Sequence, residues 1–218
     1  KMGAKIEGHG TKTILIQGVT NLKKAEHEII SDRIVAGTYI IAALMLNSAL
    51  EINNFNTIYL KSLIDILKKM GAKLKVSKNS IKVFNGSRLK STSLSTSPYP
   101  GFPTDLQAQL MSLMCISDGK SKIKETIFEN RFMHVPELNR LGANITVEKD
   151  TATIIGNQTF KGAQVMASDL RASISLVLAA MNANGQTTLN RVYHLDRGYE
   201  NIEKTLGSLG VKIKRQKN

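Results

Sequence analysis

Three segments of the chain are apolar on almost every helical face after their first turn, and each follows residues suited to begin a helix. The segments cover residues 33–46, 106–116 and 170–181. Side chains of Ser, Thr and Asp accept hydrogen bonds from the free N–H groups at a helix start. The three preceding pairs are Ser31-Asp32, Thr104-Asp105 and Ser168-Asp169. Since a helix that is apolar on all faces is typically buried, the pattern predicts three buried helices.

Three other segments carry apolar residues on a single stripe with charged residues opposite, which is typical of helices at a protein surface. The stripes consist of Leu60, Leu63, Leu67 and Met70, then Val135, Leu138 and Leu141, and then Tyr199, Ile202, Leu206 and Leu209. The sequence therefore predicts three surface helices that alternate with the buried ones.

Short strand-like pieces lie between and after these helices. They cover residues 49–54, 73–76, 80–84, 122–125, 144–148, 152–155, 187–190 and 211–214. Residues 2–18 resemble the closing strand pair of an earlier unit, and the last unit stops after one strand near Arg215. We therefore expect a unit that consists of a strand, a buried helix, a strand, a surface helix and a strand pair. The chain is expected to begin inside such a unit.

A short phrase recurs at even spacing, where a helix ends and a strand begins. It is centred on Gly3, Gly71, Gly142 and Gly210, which are 68, 71 and 68 residues apart. Glycine readily takes the left-handed conformation that ends many helices. Three equivalent units of about 70 residues predict an α/β domain of pseudo-threefold repeats, with helices inside and short sheets outside. The alternative is an ordinary open α/β sheet.

The charge of the chain is strongly positive, as in many nucleic-acid-binding proteins. The formal net charge is +13, from 22 Lys and 8 Arg against 17 acidic residues. The lysines are scattered, aromatic residues make up 5% of the chain, and Trp is absent. No basic run is interleaved with aromatic residues, as a base-stacking surface requires. We therefore expect solvated helix faces and no nucleic-acid partner; a basic nucleic-acid-binding module remains the alternative from another class.

Several further features favour a cytoplasmic protein without membrane contact. No apolar run approaches the roughly 20 residues that cross a bilayer, and the first five residues lack the apolar region of a secretory signal. The single cysteine, Cys115, excludes a disulfide within the chain and lies in a buried apolar segment, where a thiol is typically inert. The histidines show no spacing typical of a metal site. We expect neither a metal nor a cofactor.

Four long motifs resemble one enzyme family. They are SPYPGFPTDLQAQ at 97–109, ETIFENRFMHVPEL at 125–138, GAQVMASDLRAS at 162–173 and YHLDRGYE at 193–200. In this order they resemble the UDP-N-acetylglucosamine enolpyruvyl transferases, over essentially the whole chain and over the carboxyl-terminal half of that enzyme. The related 3-phosphoshikimate transferases are the alternative within the same fold, and the second and fourth motifs argue against them.

The resemblance implies a fold and a domain organisation. The family has two domains, each an inside-out α/β barrel of three repeats. Residues 1–29 would be the closing strands of the first domain, and residues 30–218 would form most of the second. Its repeat units would cover about 30–97, 98–165 and 166–218. The missing amino-terminal half would be a partner of this chain, which alone would bind substrate weakly at best and would not turn over.

The resemblance also implies a reaction, the transfer of the enolpyruvyl group of phosphoenolpyruvate to the 3′-hydroxyl of UDP-N-acetylglucosamine. Asp105 would contact the sugar hydroxyl and take part in proton transfer, and Asp169 would be a second active-site aspartate. Arg171 and Arg197 would bind phosphoenolpyruvate or stabilise a closed state. We expect these four side chains to face one cleft. From the sequence alone, both aspartates could equally be helix caps, and both arginines could be surface charges.

A loop within the second motif, near Ile127, would bind the nucleotide sugar. In the resemblance, Ile127 makes a backbone contact to this substrate, and Phe128 and Arg131 line the same loop. Phe128 could equally pack in the core. Cys115 does not match the family's reactive cysteine, which belongs to the first domain.

Overall fold

The computed structural model describes residues 1–9, 11–86 and 88–216. The chain divides into two compact units, Lys1–Ser31 and Asp32–Asn218. The division falls two residues beyond the predicted boundary at residue 29. The assignment of the first unit to another domain stays a prediction.

The first unit contains one strand pair, as the pattern of residues 2–18 predicts. Strand β1 (Lys5–Glu7) pairs antiparallel with β2 (Leu15–Gln17), so that Ile6 lies opposite Ile16. All residues of both strands are exposed. Every described residue of this unit is exposed, so these residues form no core of their own, and an isolated strand pair is at best marginally stable in water.

The second unit contains the predicted helices. They are α1 (Arg33–Met45), α2 (Lys61–Lys69), α3 (Gln107–Ile116), α4 (Val135–Arg140), α5 (Leu170–Met181) and α6 (Ile202–Ser208). Short 3₁₀ turns cover Thr57–Leu60, Thr104–Leu106 and Val192–Arg197. Helices α1, α3 and α5 are largely buried, whereas α2, α4 and α6 bury one face. The prediction of three buried and three surface helices is confirmed.

The strands of the second unit form small separate sheets. They are β3 (Leu50–Asn53), β4 (Leu74–Val76), β5 (Ser80–Val83), β6 (Ser93–Ser95), β7 (Lys120–Lys124), β8 (Asn144–Glu148), β9 (Thr151–Ile155), β10 (Gln164–Met166) and β11 (Thr188–Asn190). Strand β5 lies between β3 and β4 and is antiparallel to both. Strand β9 lies between β7 and β8 in the same way. The same arrangement of three strands therefore occurs in the first two repeat units, as the recurring sequence pattern predicts.

Parallel strand pairs extend the repeat. Strand β6 runs parallel to β7 at a sheet edge, and β10 runs parallel to β11 in a sheet of two strands. Neither β6 nor β10 was predicted from the sequence. Within the described ranges, no strand of one sheet pairs with a strand of another. The described part of the chain is therefore an α/β fold with helices inside and sheets outside, but its sheets do not form a closed barrel.

The core lies between the three buried helices and the inner faces of the sheets. Leu110, Met111 and Leu113 of α3 are fully buried. Truncation of such a leucine to alanine costs about 2–5 kcal/mol, because a cavity remains. A second cluster joins Tyr199, Ile202 and other residues near α6 to the outer sides of α1 and α5.

The predicted helix stops are confirmed at three of the four recurring glycines, whereas no described helix precedes Gly3. Gly71, Gly142 and Gly210 have φ values of 97°, 100° and 94° directly after a surface helix. One predicted strand is wrong, since residues 211–214 have no strand structure. Their alternating pattern suits a strand, but none of the described residues forms a ladder with them, and an extended segment needs such a neighbour to become a strand. Among the described residues, no helix combines the length and the apolar character required to cross a membrane.

Candidate active site

The amino-terminal ends of the three buried helices lie together. A Cβ atom on Gly37 of α1 would lie 2.8 Å from Leu106, which directly precedes α3. In the middle of the helices, the Ser112 hydroxyl of α3 donates to the carbonyl oxygen of Ser175 of α5 at 3.1 Å. At the opposite end, the Asn182 amide donates to the carbonyl oxygen of Met45 at 2.9 Å. The helices therefore run in the same direction, and the positive ends of their dipoles point to one region.

Asp105 connects two arginines in this region. Its Oδ1 atom lies 2.9 Å from Nη2 of Arg131, and its Oδ2 atom lies 2.9 Å from Nη2 of Arg171. The aspartate side chain is 40% exposed, and the arginine side chains are 22% and 20% exposed. With Asp169, whose carboxylate interacts with the charge of Arg131, the cluster contains two carboxylates and two guanidinium groups. Both arginines have further N–H donors, so the cluster can also bind an anion.

Asp105 does not cap a helix. The turn Thr104–Leu106 and helix α3 both begin without a side-chain cap, and the carboxylate of Asp105 points to the arginines. The capping interpretation of Asp105 is therefore wrong. Pro103, which precedes the turn, has no hydrogen-bonding side chain to act as a cap.

Asp169 is a helix cap. Its Oδ1 atom accepts hydrogen bonds from the backbone N–H groups of Arg171 at 2.7 Å and Ala172 at 3.0 Å. Partial burial raises the pKa of the Asp169 carboxyl, but these two hydrogen bonds and the charge of Arg131 outweigh burial, so that the pKa lies below its ordinary value. The cap thus fixes the first turn of α5, which carries Arg171, beside Asp105.

Two residues of this region were not identified from the sequence, and the first is His134. This imidazole is fully buried near Asp169 and Arg131, and its Nε2 atom has no hydrogen-bond partner among the residues that the structure describes. Burial lowers its pKa to about 4, which the charge of Arg131 reinforces and that of Asp169 opposes. His134 is therefore neutral at physiological pH. Only its position within the second motif could have indicated it.

The second is Glu125, which ends the strand segment before the predicted sugar-binding loop. Its Oε1 atom accepts hydrogen bonds from the Thr96 hydroxyl at 2.7 Å and from the backbone N–H groups of Ile127 and Phe128 at 2.9 and 3.3 Å. Its Oε2 atom accepts a hydrogen bond from the Thr104 hydroxyl at 2.9 Å. One buried carboxylate thus holds the loop next to the turn that carries Asp105.

The predicted sugar-binding residues line an open groove of about 990 Å³. It is formed by residues 124–133, Val147, Lys149 and Asp150. Phe128 is 55% exposed, so the core-packing interpretation of this residue is wrong. The guanidinium carbon of Arg131 lies 5.1 Å from the centre of the Phe128 ring, within range of a cation–π interaction. Arg131 therefore belongs both to the groove and to the Asp105 cluster.

Arg197 lies apart from these contacts. It ends the 3₁₀ turn Val192–Arg197 and is exposed. Among the described residues it has no ion pair and no hydrogen bond of its side chain. The adjacent Gly198 packs against Leu170 of α5, where a Cβ atom would lie 2.9 Å from the leucine side chain. The structure brings Asp105, Arg131, Asp169 and Arg171 together, and the joining of Arg197 to them stays a prediction.

Cys115 is buried on α3, and burial raises the pKa of its thiol to about 12. Such a thiol is a poor nucleophile, in agreement with the prediction from the sequence. Within the described ranges, no group of His, Cys, Asp and Glu is arranged to hold a metal ion.

A family model for EPSP synthase (3-phosphoshikimate 1-carboxyvinyltransferase) matches residues 1–206. The chain therefore belongs to the EPSP synthase family of 1-carboxyvinyltransferases.

Two similar relatives within this family are both named as UDP-N-acetylglucosamine 1-carboxyvinyltransferases. A UDP-N-acetylglucosamine 1-carboxyvinyltransferase from Pelagibacter ubique is 51% identical over 214 residues, which are 98% of this chain and 51% of that protein. One from Azorhizobium caulinodans is 52% identical over 216 residues, which are 99% of this chain and 50% of that protein. The resemblance seen in the four motifs is confirmed. The chain spans about half the length of the curated relatives it matches.

Solved structures agree with this assignment of the fold. The enolpyruvyl transferase NikO from Streptomyces tendae superimposes with a TM-score of 0.89 at 29% identity, covering 98% of this chain and 51% of that chain. An EPSP synthase from Acinetobacter baumannii gives a TM-score of 0.75 at 18% identity, covering 99% of this chain and 53% of that chain. At this low identity the second likeness concerns the fold alone.

Proposed function

We propose that this chain is part of an enzyme that transfers the enolpyruvyl group of phosphoenolpyruvate to the 3′-hydroxyl of UDP-N-acetylglucosamine and releases phosphate. The printed names of relatives at about half identity support this substrate pair. The observation that carries the proposal is the Asp105 carboxylate, held on both oxygens by Arg131 and Arg171 beside an open groove. The reaction would serve peptidoglycan synthesis in the cytoplasm.

The chemistry is an addition followed by an elimination. The sugar hydroxyl oxygen forms a bond to the central carbon of phosphoenolpyruvate, its proton leaves to a base, and the methylene carbon takes up a proton. The bond between the central carbon and the phosphate oxygen then breaks, and the methyl carbon returns a proton. The double bond is thereby restored. The reaction needs a proton acceptor at the hydroxyl and cations around the phosphate and carboxylate.

Asp105 suits the role of proton acceptor at the sugar hydroxyl. Each carboxylate oxygen can accept more than one hydrogen bond, so the two arginines leave acceptor capacity. The arginines fix the direction of the carboxylate, and a fixed direction is what a general base requires. Asp169 would act beside it by holding the first turn of α5, with Arg171, in place.

The arginines suit the anionic groups of phosphoenolpyruvate. A planar guanidinium donates two parallel hydrogen bonds to a carboxylate or phosphate. Arg171 lies in the cluster already, whereas Arg197 is exposed and presents its donors to solvent. Ile127 and Phe128, which Glu125 positions, would contact the sugar nucleotide in the groove.

The proposed reaction also needs the half of the enzyme that this chain does not match. We expect the 218-residue chain to show no turnover by itself. A chimera tests the proposal, in which the half of the Pelagibacter ubique relative that this chain does not match is joined to it in one polypeptide. Phosphate release is measured with phosphoenolpyruvate and UDP-N-acetylglucosamine. Circular dichroism and gel filtration establish that the chimera is folded.

The expected result is phosphate release that depends on UDP-N-acetylglucosamine. A folded chimera that is inactive with this acceptor, while the relative is active, contradicts the proposal. The description of the matching family model favours one competing acceptor, 3-phosphoshikimate. It is therefore measured in parallel. Phosphate release with 3-phosphoshikimate, and none with UDP-N-acetylglucosamine, would assign the chain to a 3-phosphoshikimate transferase instead.

A further inference from the structure

A buried chain of polar side chains lies directly beneath Asp105. The Tyr199 hydroxyl is 2.8 Å from the Thr38 hydroxyl of α1. The Gln109 amide nitrogen of α3 donates to the carbonyl oxygen of Asp105 at 2.9 Å and points to the Thr38 hydroxyl at 3.4 Å. The side chains of Tyr199, Thr38 and Gln109 are 4%, 2% and 0% exposed. Polar groups in such a place are costly unless they are hydrogen-bonded.

The direction of each hydrogen bond follows from the number of protons. The Thr38 hydroxyl donates its single proton to the carbonyl oxygen of Ile34 at 2.9 Å. It can therefore only accept from its other neighbours, so Tyr199 donates to Thr38. Gln109 also donates, with the two protons of its amide directed to Thr38 and to Asp105. Burial raises the pKa of the Tyr199 phenol, which keeps it a donor.

Tyr199 also fixes the segment that carries Arg197. Its backbone N–H donates to the carbonyl oxygen of Leu195 at 2.9 Å, which closes the 3₁₀ turn ending at Arg197. Its ring belongs to the second apolar cluster, with Ile202 among its members. The charge of Arg171 acts on its phenol. The side chain of Tyr199 thus contacts α1 and lies near the first turn of α5, and its backbone belongs to the segment that carries Arg197.

We propose that Tyr199 is a positioning residue, whose hydroxyl fixes the distance between the Arg197 segment and the Asp105 carboxylate through Thr38 and Gln109. This inference rests on the proposed function, because it assigns both Asp105 and the Arg197 segment to one reaction. Because Tyr199 is 4% exposed, we assign it no direct contact with the substrate. Tyr199 acts on Asp105 through Gln109, which binds the backbone carbonyl oxygen of Asp105. The two arginines hold the carboxylate of Asp105.

Tyr199→Phe is the decisive variant, since it keeps the ring packing and removes only the hydroxyl. In the chimera we expect kcat to fall roughly 10- to 100-fold, as for a small misplacement of reacting groups, and KM for phosphoenolpyruvate to rise. Thr38→Val removes the same link from the other side. The double variant should lose no more than the larger single effect, because both changes break one chain of hydrogen bonds.

Tyr39→Phe is the matched control. Tyr39 is the next residue of α1 and makes a side-chain hydrogen bond with Thr205 of α6, so it also joins α1 to this part of the chain. It has no hydrogen bond to Gln109. A purely structural role of Tyr199 would lower Tm in both tyrosine variants and leave kcat unchanged. Unchanged kcat and KM in Tyr199→Phe, or an equal loss of kcat in Tyr39→Phe, overturns the inference.

A second readout separates this inference from the proposed function. In the 218-residue chain itself, the side-chain amide signals of Gln109 are followed by NMR. Tyr199→Phe should shift them, and Tyr39→Phe should not. Unshifted Gln109 signals in Tyr199→Phe overturn the inference even if the chimera is active. Shifted signals with a folded but inactive parent chimera overturn the functional proposal and, with it, the positioning role.

Discussion

Oδ2 of Asp105 lies 2.9 Å from Nη2 of Arg171, which joins the turn before α3 to the first turn of α5. The two residues are far apart in sequence, yet each begins one of the buried helices. Because the helices run in the same direction, a residue at the start of one can contact a residue at the start of another. The repeat that organises the fold therefore also assembles the candidate site.

Asp105→Asn tests the role of the carboxylate. Asparagine keeps the shape and removes the charge, so the proton acceptor is lost while the packing remains. We expect kcat of the chimera to fall roughly 100- to 10,000-fold, the range for loss of a general base. Asp65→Asn is the control, since Asp65 forms an exposed ion pair with Lys61 on α2. Equal activity of Asp105→Asn and Asp65→Asn would contradict the assignment.

Asp169 has two separable roles, and a pair of substitutions distinguishes them. Asp169→Ala removes the cap of α5 and should lower the free energy of unfolding by about 1 kcal/mol. Asp169→Ser keeps a capping side chain and removes only the charge, so its stability should stay near that of the unchanged protein. Asp32→Ala removes the equivalent cap of α1. Denaturant unfolding of the three variants measures the effect.

If Asp169 acts only as a cap, Asp169→Ser retains full activity in the chimera. A loss of activity in this variant indicates that the charge contributes as well. A stability loss in Asp169→Ser as large as in Asp169→Ala would contradict the capping role.

The pH dependence of stability reports the burial of His134. Its pKa is about 4 in the folded protein, below the ordinary value of 6.5. The unfolded chain therefore binds more protons between these values, and stability is lost as the pH falls from 6.5 to about 4. The full effect is about 3 kcal/mol. Denaturant unfolding at a series of pH values measures it.

A variant isolates the contribution of this histidine. His134→Gln cannot titrate, so the decline of stability over this pH range should become shallower. His27→Gln changes an exposed histidine and should leave the decline as it is. An unchanged slope in His134→Gln would show that the imidazole is not buried in its neutral form.

Cys115 should resist alkylation in the folded chain. Its thiol is buried, and burial raises its pKa to about 12, so the reactive thiolate is scarce. Iodoacetamide at neutral pH should leave the mass of the folded protein unchanged and modify the unfolded protein once. Intact mass spectrometry measures both. Rapid modification of the folded protein would contradict the position of Cys115 in the core.

The local features of the fold could be predicted from the sequence. A cap such as Asp169 and a helix stop such as Gly142 depend on residues within one turn, and the structure has both. The buried helices were recognisable because residues such as Leu110, Met111 and Leu113 make α3 apolar on almost every face after its first turn. The strand predicted at 211–214 is absent, because a strand depends on a neighbour elsewhere in the structure, which the local sequence does not show.

The candidate site was predictable only in part. The motifs indicated Asp105, Arg131 and Arg171, but their mutual contacts join three separate segments and left no pattern in any one of them. Glu125 was overlooked because a glutamate at the end of a strand resembles an ordinary surface charge. Its burial and its bonds to Ile127 and Phe128 exist only in the folded chain.

The central claim is that Asp105 takes part in moving an enolpyruvyl group to a UDP-sugar. The most direct measurement uses isotope-labelled phosphoenolpyruvate with UDP-N-acetylglucosamine and follows the labelled group by NMR in the chimera and in its Asp105→Asn variant. We predict that the label appears as an enol ether on the sugar with the chimera and is nearly absent with the variant. The account is contradicted if a folded chimera transfers no label, or if the variant transfers it at an equal rate.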